Sequence, residues 1–210
     1  MLVMRRRQKT AGFTILELMM AATVFAVILL VVAMGVINFT NQYYRGINAT
    51  KTHAVARAII NEVTESIQFG KNVTTGLTDG GNTQGVCIDN TMYSYVIGQE
   101  VTDSLPFGMH QNYHGLIVDT GGCSTPSVPN SSALPNPSTQ RELLSQHMRL
   151  GAFTVTSLSS GMYTVHVRVI YGDDDLLTST NWGTALCNGS VTGSQFCAVA
   201  DLTTTVQQRL

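Results

Sequence analysis

Proline is missing from Phe13 to Phe69, and glycine occurs there only at Gly35 and Gly46. Nothing in that stretch forces a helix to break, because proline is the residue that removes an i→i−4 hydrogen bond and clashes with the preceding turn. Each glycine costs about 1 kcal/mol relative to alanine and softens a helix without ending it. Charge is scarce too. Asp, Glu, Lys and Arg make up 12% of the 210 residues and the formal net charge is −1, a balance that indicates neither nucleic-acid affinity nor bulk disorder. No Walker loop occurs, which excludes an ATP-driven motor. No serine sits in a G-x-S-x-G elbow, and SSGMY does not supply one, so an acyl-transfer enzyme has no nucleophile to point to. No Cys-x-x-Cys occurs, and His53, His110, His114, His147 and His166 do not fall at finger spacing from the cysteines, so a zinc finger is unsupported.

The charge that is present is unevenly placed. Arg5, Arg6, Arg7 and Lys9 are four of the twelve basic residues, and all precede an apolar run. Without them eight basic residues would face thirteen acidic ones. The run Leu18–Ile37 has no charged residue, and at 1.5 Å per residue it spans about 30 Å, the thickness of a bilayer's hydrocarbon core. Positive charges stay in the cytoplasm, so everything after Ile37 is expected outside it. At the head of the run stands a carboxylate, Glu17, where burial of a charge costs on the order of a few kcal/mol. The four cysteines, Cys87, Cys123, Cys187 and Cys197, all lie on the expected outer side. An even count in an oxidising compartment favours disulfides. Three pairings are possible; Cys87–Cys123 and Cys187–Cys197 close the shortest non-overlapping loops, worth about 4 and 3 kcal/mol by chain entropy.

Along the chain, Phe13–Phe69 reads as one helix of about 57 residues, on the order of 85 Å. The alternative is an anchor and a separate packed helix, broken near Tyr44–Asn48. In the second part Val55, Ile59, Val63 and Ile67 recur every four residues, with Ala54, Ala58 and Ile60 widening the stripe. Gly70 suits a helix stop. TTGLTDGGNTQG then reads as loop, and MYSYVIG, HGLIVDT and AFTVTSL as short strands. MYTVHVRVIYG is the clearest strand, with Tyr163, Val165, Val167, Val169 and Tyr171 alternating with Thr164, His166, Arg168 and Ile170. STPSVPNSSALPNPSTQ holds four of the five prolines and reads as an irregular surface loop. RELLSQHMRL reads as a short helix or the start of a strand, and CAVADLTTTVQQRL as a final, weaker strand. The expected fold class is α+β, a long N-terminal helix packed through its second half on an antiparallel β-sheet head.

A basic leader, then GFTILEL, then an unbroken apolar run closely resembles the class III signal of type IV pilins and type II secretion pseudopilins. An ordinary secretory signal carries its small-residue cleavage site after the apolar core; here Gly12 precedes it. The resemblance implies cleavage between Gly12 and Phe13 by a membrane prepilin peptidase and N-methylation of the new amine of Phe13. It also implies an assembly role for Glu17, neutralising the terminal amine of a neighbouring subunit as the filament forms. Residues i and i+4 lie on one helix face, a first-turn carboxylate complements the macrodipole, and an unpaired buried charge in the filament would be strongly unfavourable. Major pilins often carry a proline in the apolar segment; this chain has none, and position 34 is Met. The organisation implied is a leader over residues 1–12, an assembly helix over 13–37, its amphipathic continuation over 38–69 and an extracytoplasmic β-rich head over 70–210. The implied partners are other pilin subunits, the prepilin peptidase, the pilus assembly platform and the membrane, with no nucleic acid and no cofactor.

LLSQHMRLGAFTVTSL, VHVRVIYGDDDLLT and the closing Cys187–Cys197 loop resemble minor pilins of the PilW type, which prime pilus assembly. A minor pseudopilin of a type II secretion system, or a stand-alone signal-anchored adhesin, is the alternative. Other residues are weighed against plainer roles. Asp173, Asp174 and Asp175 could chelate calcium, yet calcium takes six to eight oxygens and no EF-hand spacing follows, so a solvated turn is expected. His110 and His114 are expected on a loop, and His166 on a strand face. Trp182, Tyr93 and Tyr95 could hold a glycan but are expected in the core.

Overall fold

In the computed structural model the described residues are 12–102, 114–129, 131, 133–159 and 161–209. The fold is α+β and pilin-like, a long N-terminal helix followed by antiparallel sheets. The helix, α1 (Ile15–Phe69), is 55 residues long, and its backbone hydrogen bonding continues through Gly35 and Gly46. The chain forms two compact units whose boundary falls between Tyr43 and Tyr44. The first unit therefore holds the apolar part of α1 and the second holds its remainder with all the strands.

In the second unit, β1 (Val73–Thr78), β2 (Gln84–Ile88), β3 (Thr91–Tyr95), β4 (Leu116–Asp119) and β5 (Gln140–Glu142) form a five-stranded meander in chain order. A second meander contains β6 (Met148–Ser159), β7 (Met162–Tyr171) and β8 (Ala198–Gln207). The segment after β3 ties the two sheets together. Gly98 N–H donates to the Leu150 carbonyl at 2.8 Å, Val101 N–H to Met148 at 2.9 Å, and His147 N–H back to Val101 at 2.9 Å.

TTGLTDGGNTQG departs from the loop reading, because it supplies most of β1 and the start of β2. The strand β1 lies at a sheet edge, is largely exposed, and slips register between Thr74 and Leu77, next to Gly76 at φ +74°. An exposed, bulged edge strand has no apolar alternation for sequence to reveal. RELLSQHMRL closes β5 and opens β6, with a bend and turn over 143–147 between them.

One core gathers Ala56, Ile59, Val63 and Ile67 of α1 with Val86, Tyr93, Leu116, Leu150, Phe153, Val165, Val167 and Ala200 of the sheets. The buried stripe of α1 runs Asn48, Thr52, Ala56, Ile59, Ile60, Val63, Ile67, whereas Ala54 and Ala58 are exposed. A strict four-residue repeat drifts around a helix of 3.6 residues per turn, so going back from Ile67 the seam shifts to Ala56 and leaves Val55 at its edge. The outer face of β7 is covered as well, where residues after Gly172 fold over it in a smaller core of Ile170, Leu176, Leu177, Ala185 and Cys197. Disulfides join Cys87 to Cys123 and Cys187 to Cys197.

Two arginines are buried in this second cover. Arg149 pairs with Glu100 and Asp174, donates to the Gly172 carbonyl at 3.0 Å, and stacks 5.0 Å over the Trp182 ring. Arg168 pairs with Asp201 and donates to the Ala185 carbonyl. Buried charges persist when paired in this way. Gly98 is required where the indole of Trp182 crosses: its φ is +80°, and a Cβ there would lie 2.0 Å from Nε1.

Candidate functional site

Gly12, Phe13 and Thr14 precede the first helical residue, Ile15. Thr14 is the N-cap. Glu17 N–H donates to Thr14 Oγ1 at 3.2 Å, and in return Glu17 Oε2 accepts from Thr14 N–H at 3.1 Å and from Thr14 Oγ1 at 3.2 Å. The first helical bond runs from Leu18 N–H to the Thr14 carbonyl at 3.2 Å. This reciprocal arrangement is a capping box, which satisfies two backbone donors otherwise left without partners at a helix start. In the intact chain, then, the carboxylate of Glu17 turns back along its own first turn toward Thr14, and Phe13 lies outside the helix. Thr14 had a readable signal, the T-x-x-E spacing of T-I-L-E immediately before an apolar run.

Everything from Gly12 to Thr40 is exposed. Phe13 is 84% exposed, and Ile15, Leu18, Phe25 and Leu29 show between half and four-fifths of their surface. The best window of α1 has a mean hydropathy of 2.8. By length and composition the helix can cross a membrane.

The remaining sequence candidates sit in the second unit. Asp173, Asp174 and Asp175 follow β7 and are exposed, and Asp174–Leu176 is a short 3-10 turn. The three aspartates do not converge: Asp174 pairs with Arg149, while Asp173 Oδ1 lies 3.9 Å from His147 Nδ1. His114 is buried, with Nε2 2.9 Å from the Ser131 carbonyl and Nδ1 3.4 Å from Glu142; His110 lies outside the described residues. His166 sits on the β7 face 2.7 Å from Asp201. Burial raises the Asp201 carboxyl, but the hydrogen bonds and charges of His166 and Arg168 outweigh it and hold the group below the usual carboxylate range. Tyr93 and Tyr95 are core residues around Phe153, and burial pushes the Tyr93 phenol up to about 12 despite its 2.8 Å hydrogen bond with Ser66.

The capped, exposed start of the apolar helix is where the family resemblance falls. Residues 7–33 match the family model described as the prokaryotic N-terminal methylation motif. The motif supports a type IV pilin or pseudopilin. It spans Arg7 to Phe13, the Thr14–Glu17 capping box and most of the apolar run. No curated protein and no solved structure matches the chain. The methylation motif points to a structural protein rather than an enzyme, assembling with other pilins after processing by a prepilin peptidase, and together with the apolar helix it supports a membrane-anchored precursor.

Proposed function

We propose that the chain is a minor pilin that primes or caps a type IV pilus. The observation that carries this reading is the methylation motif ending in an apolar helix with no cover of its own. In the proposal the leader over 1–12 is removed between Gly12 and Phe13, and Phe13 becomes the methylated N-terminus. The helix over 13–37 first crosses the inner membrane and later packs in the filament core. The residues over 38–69 continue it, and the head over 70–210 stays outside the cytoplasm and reaches the cell surface in the pilus. Glu17 neutralises the amine of a neighbouring subunit, exchanging the local Thr14 contact for an ion pair where the bilayer's water-free core gives way to packed helices. The PilW-type assignment rests on the resemblance of the C-terminal strands and the Cys187–Cys197 loop.

Intact mass and N-terminal peptide mass of the protein from its native envelope test the processing step. The expected chain begins at Phe13 with one added methyl group; one still beginning at Met1 beside an active peptidase overturns the reading. Low abundance in sheared fibres, with fibre loss on deletion, is expected of a minor pilin. Secretion loss with intact fibres would instead assign it to a type II secretion pseudopilus.

A further inference from the structure

The second unit brings together three side chains for which neither the methylation motif nor the assembly reading has a use. Glu100 lies on the segment after β3, His147 just before β6, and Asp173 just after β7. His147 Nδ1 is 3.0 Å from Glu100 Oε1 and 3.9 Å from Asp173 Oδ1, and the three ligand atoms all lie within 4.8 Å of one another. We propose that Glu100, His147 and Asp173 form a site for a divalent transition ion of the zinc type, independent of the pilus reading.

The geometry and the donor chemistry agree. Metal–ligand bonds of about 2.0–2.2 Å in a tetrahedron set neighbouring donors about 3.3–3.6 Å apart, which the two measured separations bracket. One imidazole nitrogen and two carboxylate oxygens suit a borderline ion such as zinc, whereas calcium takes oxygen donors alone and more of them. The donors are also held in place by backbone. His147 N–H donates to Val101 at 2.9 Å, its carbonyl accepts from Gly172 N–H at 3.1 Å, and its φ is +59°, a left-handed conformation uncommon outside glycine. Those two bonds join His147 to the residues next to Glu100 and Asp173, so the same ladder that builds the fold assembles the ligands.

The surroundings supply an outer shell. The second oxygen of Glu100 is held by Arg149, itself fixed by Asp174 and the Gly172 carbonyl, as ligand carboxylates usually are. Arg149 cancels one negative charge only; Glu100, Asp173 and Asp174 leave a net attraction for a cation before His147 is counted. A cavity of about 180 Å³ borders His147 and Asp173, with room for the waters that complete the coordination. The consequence for the protein is a cross-link among three segments separated in sequence, clamping the connection after β3 onto the second sheet.

Equilibrium dialysis of the full chain in detergent against zinc, with calcium and magnesium in parallel and bound metal read by elemental analysis, tests the site. One zinc per chain is expected, and Glu100→Gln, His147→Asn and Asp173→Asn should each raise Kd by about tenfold or more, since even outer-shell losses cost that much. Asparagine tolerates the left-handed backbone at 147, and Asp173 is exposed, so circular dichroism should show both variants folded. His53→Ala, at a half-buried position of α1 outside this cluster, should bind like the parent. No stoichiometric zinc, zinc binding indifferent to all three variants, or a preference for calcium over zinc overturns the proposal.

Discussion

Along α1, the residues before Tyr44 and those after it share a conformation and differ in what covers them. Leu18–Ile37 is apolar on every side and exposed on every side; Ile15 is 81% exposed and Leu29 51%. After Asn48 the apolar residues narrow to one stripe, and Ala56, Val63 and Ile67 are fully buried against strands of the same chain. A large apolar side chain is worth about 1.5–3 kcal/mol when covered, so about ten left in water rival the whole net stability of a domain. A helix apolar all round must find its cover outside its own chain. The difference teaches that one helix can meet two kinds of burial, needing cover from outside its own chain at its start and having a private core at its end.

Breaking the first half without touching the second gives the largest expected effect. Glu17→Ala should lower incorporation into sheared filaments on the order of a hundredfold, because removing one partner of a buried ion pair costs about 3–5 kcal/mol, while the melting temperature of the head stays unchanged. Glu17→Gln sharpens the point. Glutamine preserves a capping box, so equal loss in both variants assigns the effect to charge, and normal assembly of the glutamine variant assigns it to capping.

The converse change belongs in the second half. Ile59→Ala should destabilise the head by about 2–5 kcal/mol, lowering Tm by roughly 5–15 °C, whereas Leu29→Ala leaves the same calorimetric transition in place. Replacing Cys187 and Cys197 together by serine should cost about 3 kcal/mol in chemical denaturation of the head and leave membrane partitioning unaltered.

A titration reads the private core alone. The Tyr93 phenol is raised to about 12 in the fold, against about 10 in the unfolded chain. Its contribution is fully present below pH 10 and is lost as pH rises through 12, by about 2–3 kcal/mol. Denaturation at pH 9 and above pH 11 should show that loss, and Tyr93→Phe should flatten it while forfeiting the Ser66 hydrogen bond. The smallest effect is expected at the helix start: Thr14→Ala removes the N-cap for about 1 kcal/mol, speeding amide exchange in the first turn and lowering filament incorporation far less than Glu17→Ala.

What sequence by itself determined is local. An unbroken run without proline, apolar first on all sides and then on one, specified α1 and its change of surroundings, because helix period and chain reach operate over three or four residues. The alternation in Tyr163–Tyr171 specified β7 for the same reason, and T-I-L-E held a capping box in four letters. Tertiary structure alone decided what depends on distant partners. It made strands of TTGLTDGGNTQG because β2 pairs with β3 and offers β1 an edge. It moved the helix seam to Ala56, and it buried Arg149 and Arg168 by folding the residues after Gly172 over β7. It also brought Glu100, His147 and Asp173 within reach of one ion. Such contacts close loops tens of residues long, and their geometry is set by the sum of the whole core rather than by any neighbour in the chain.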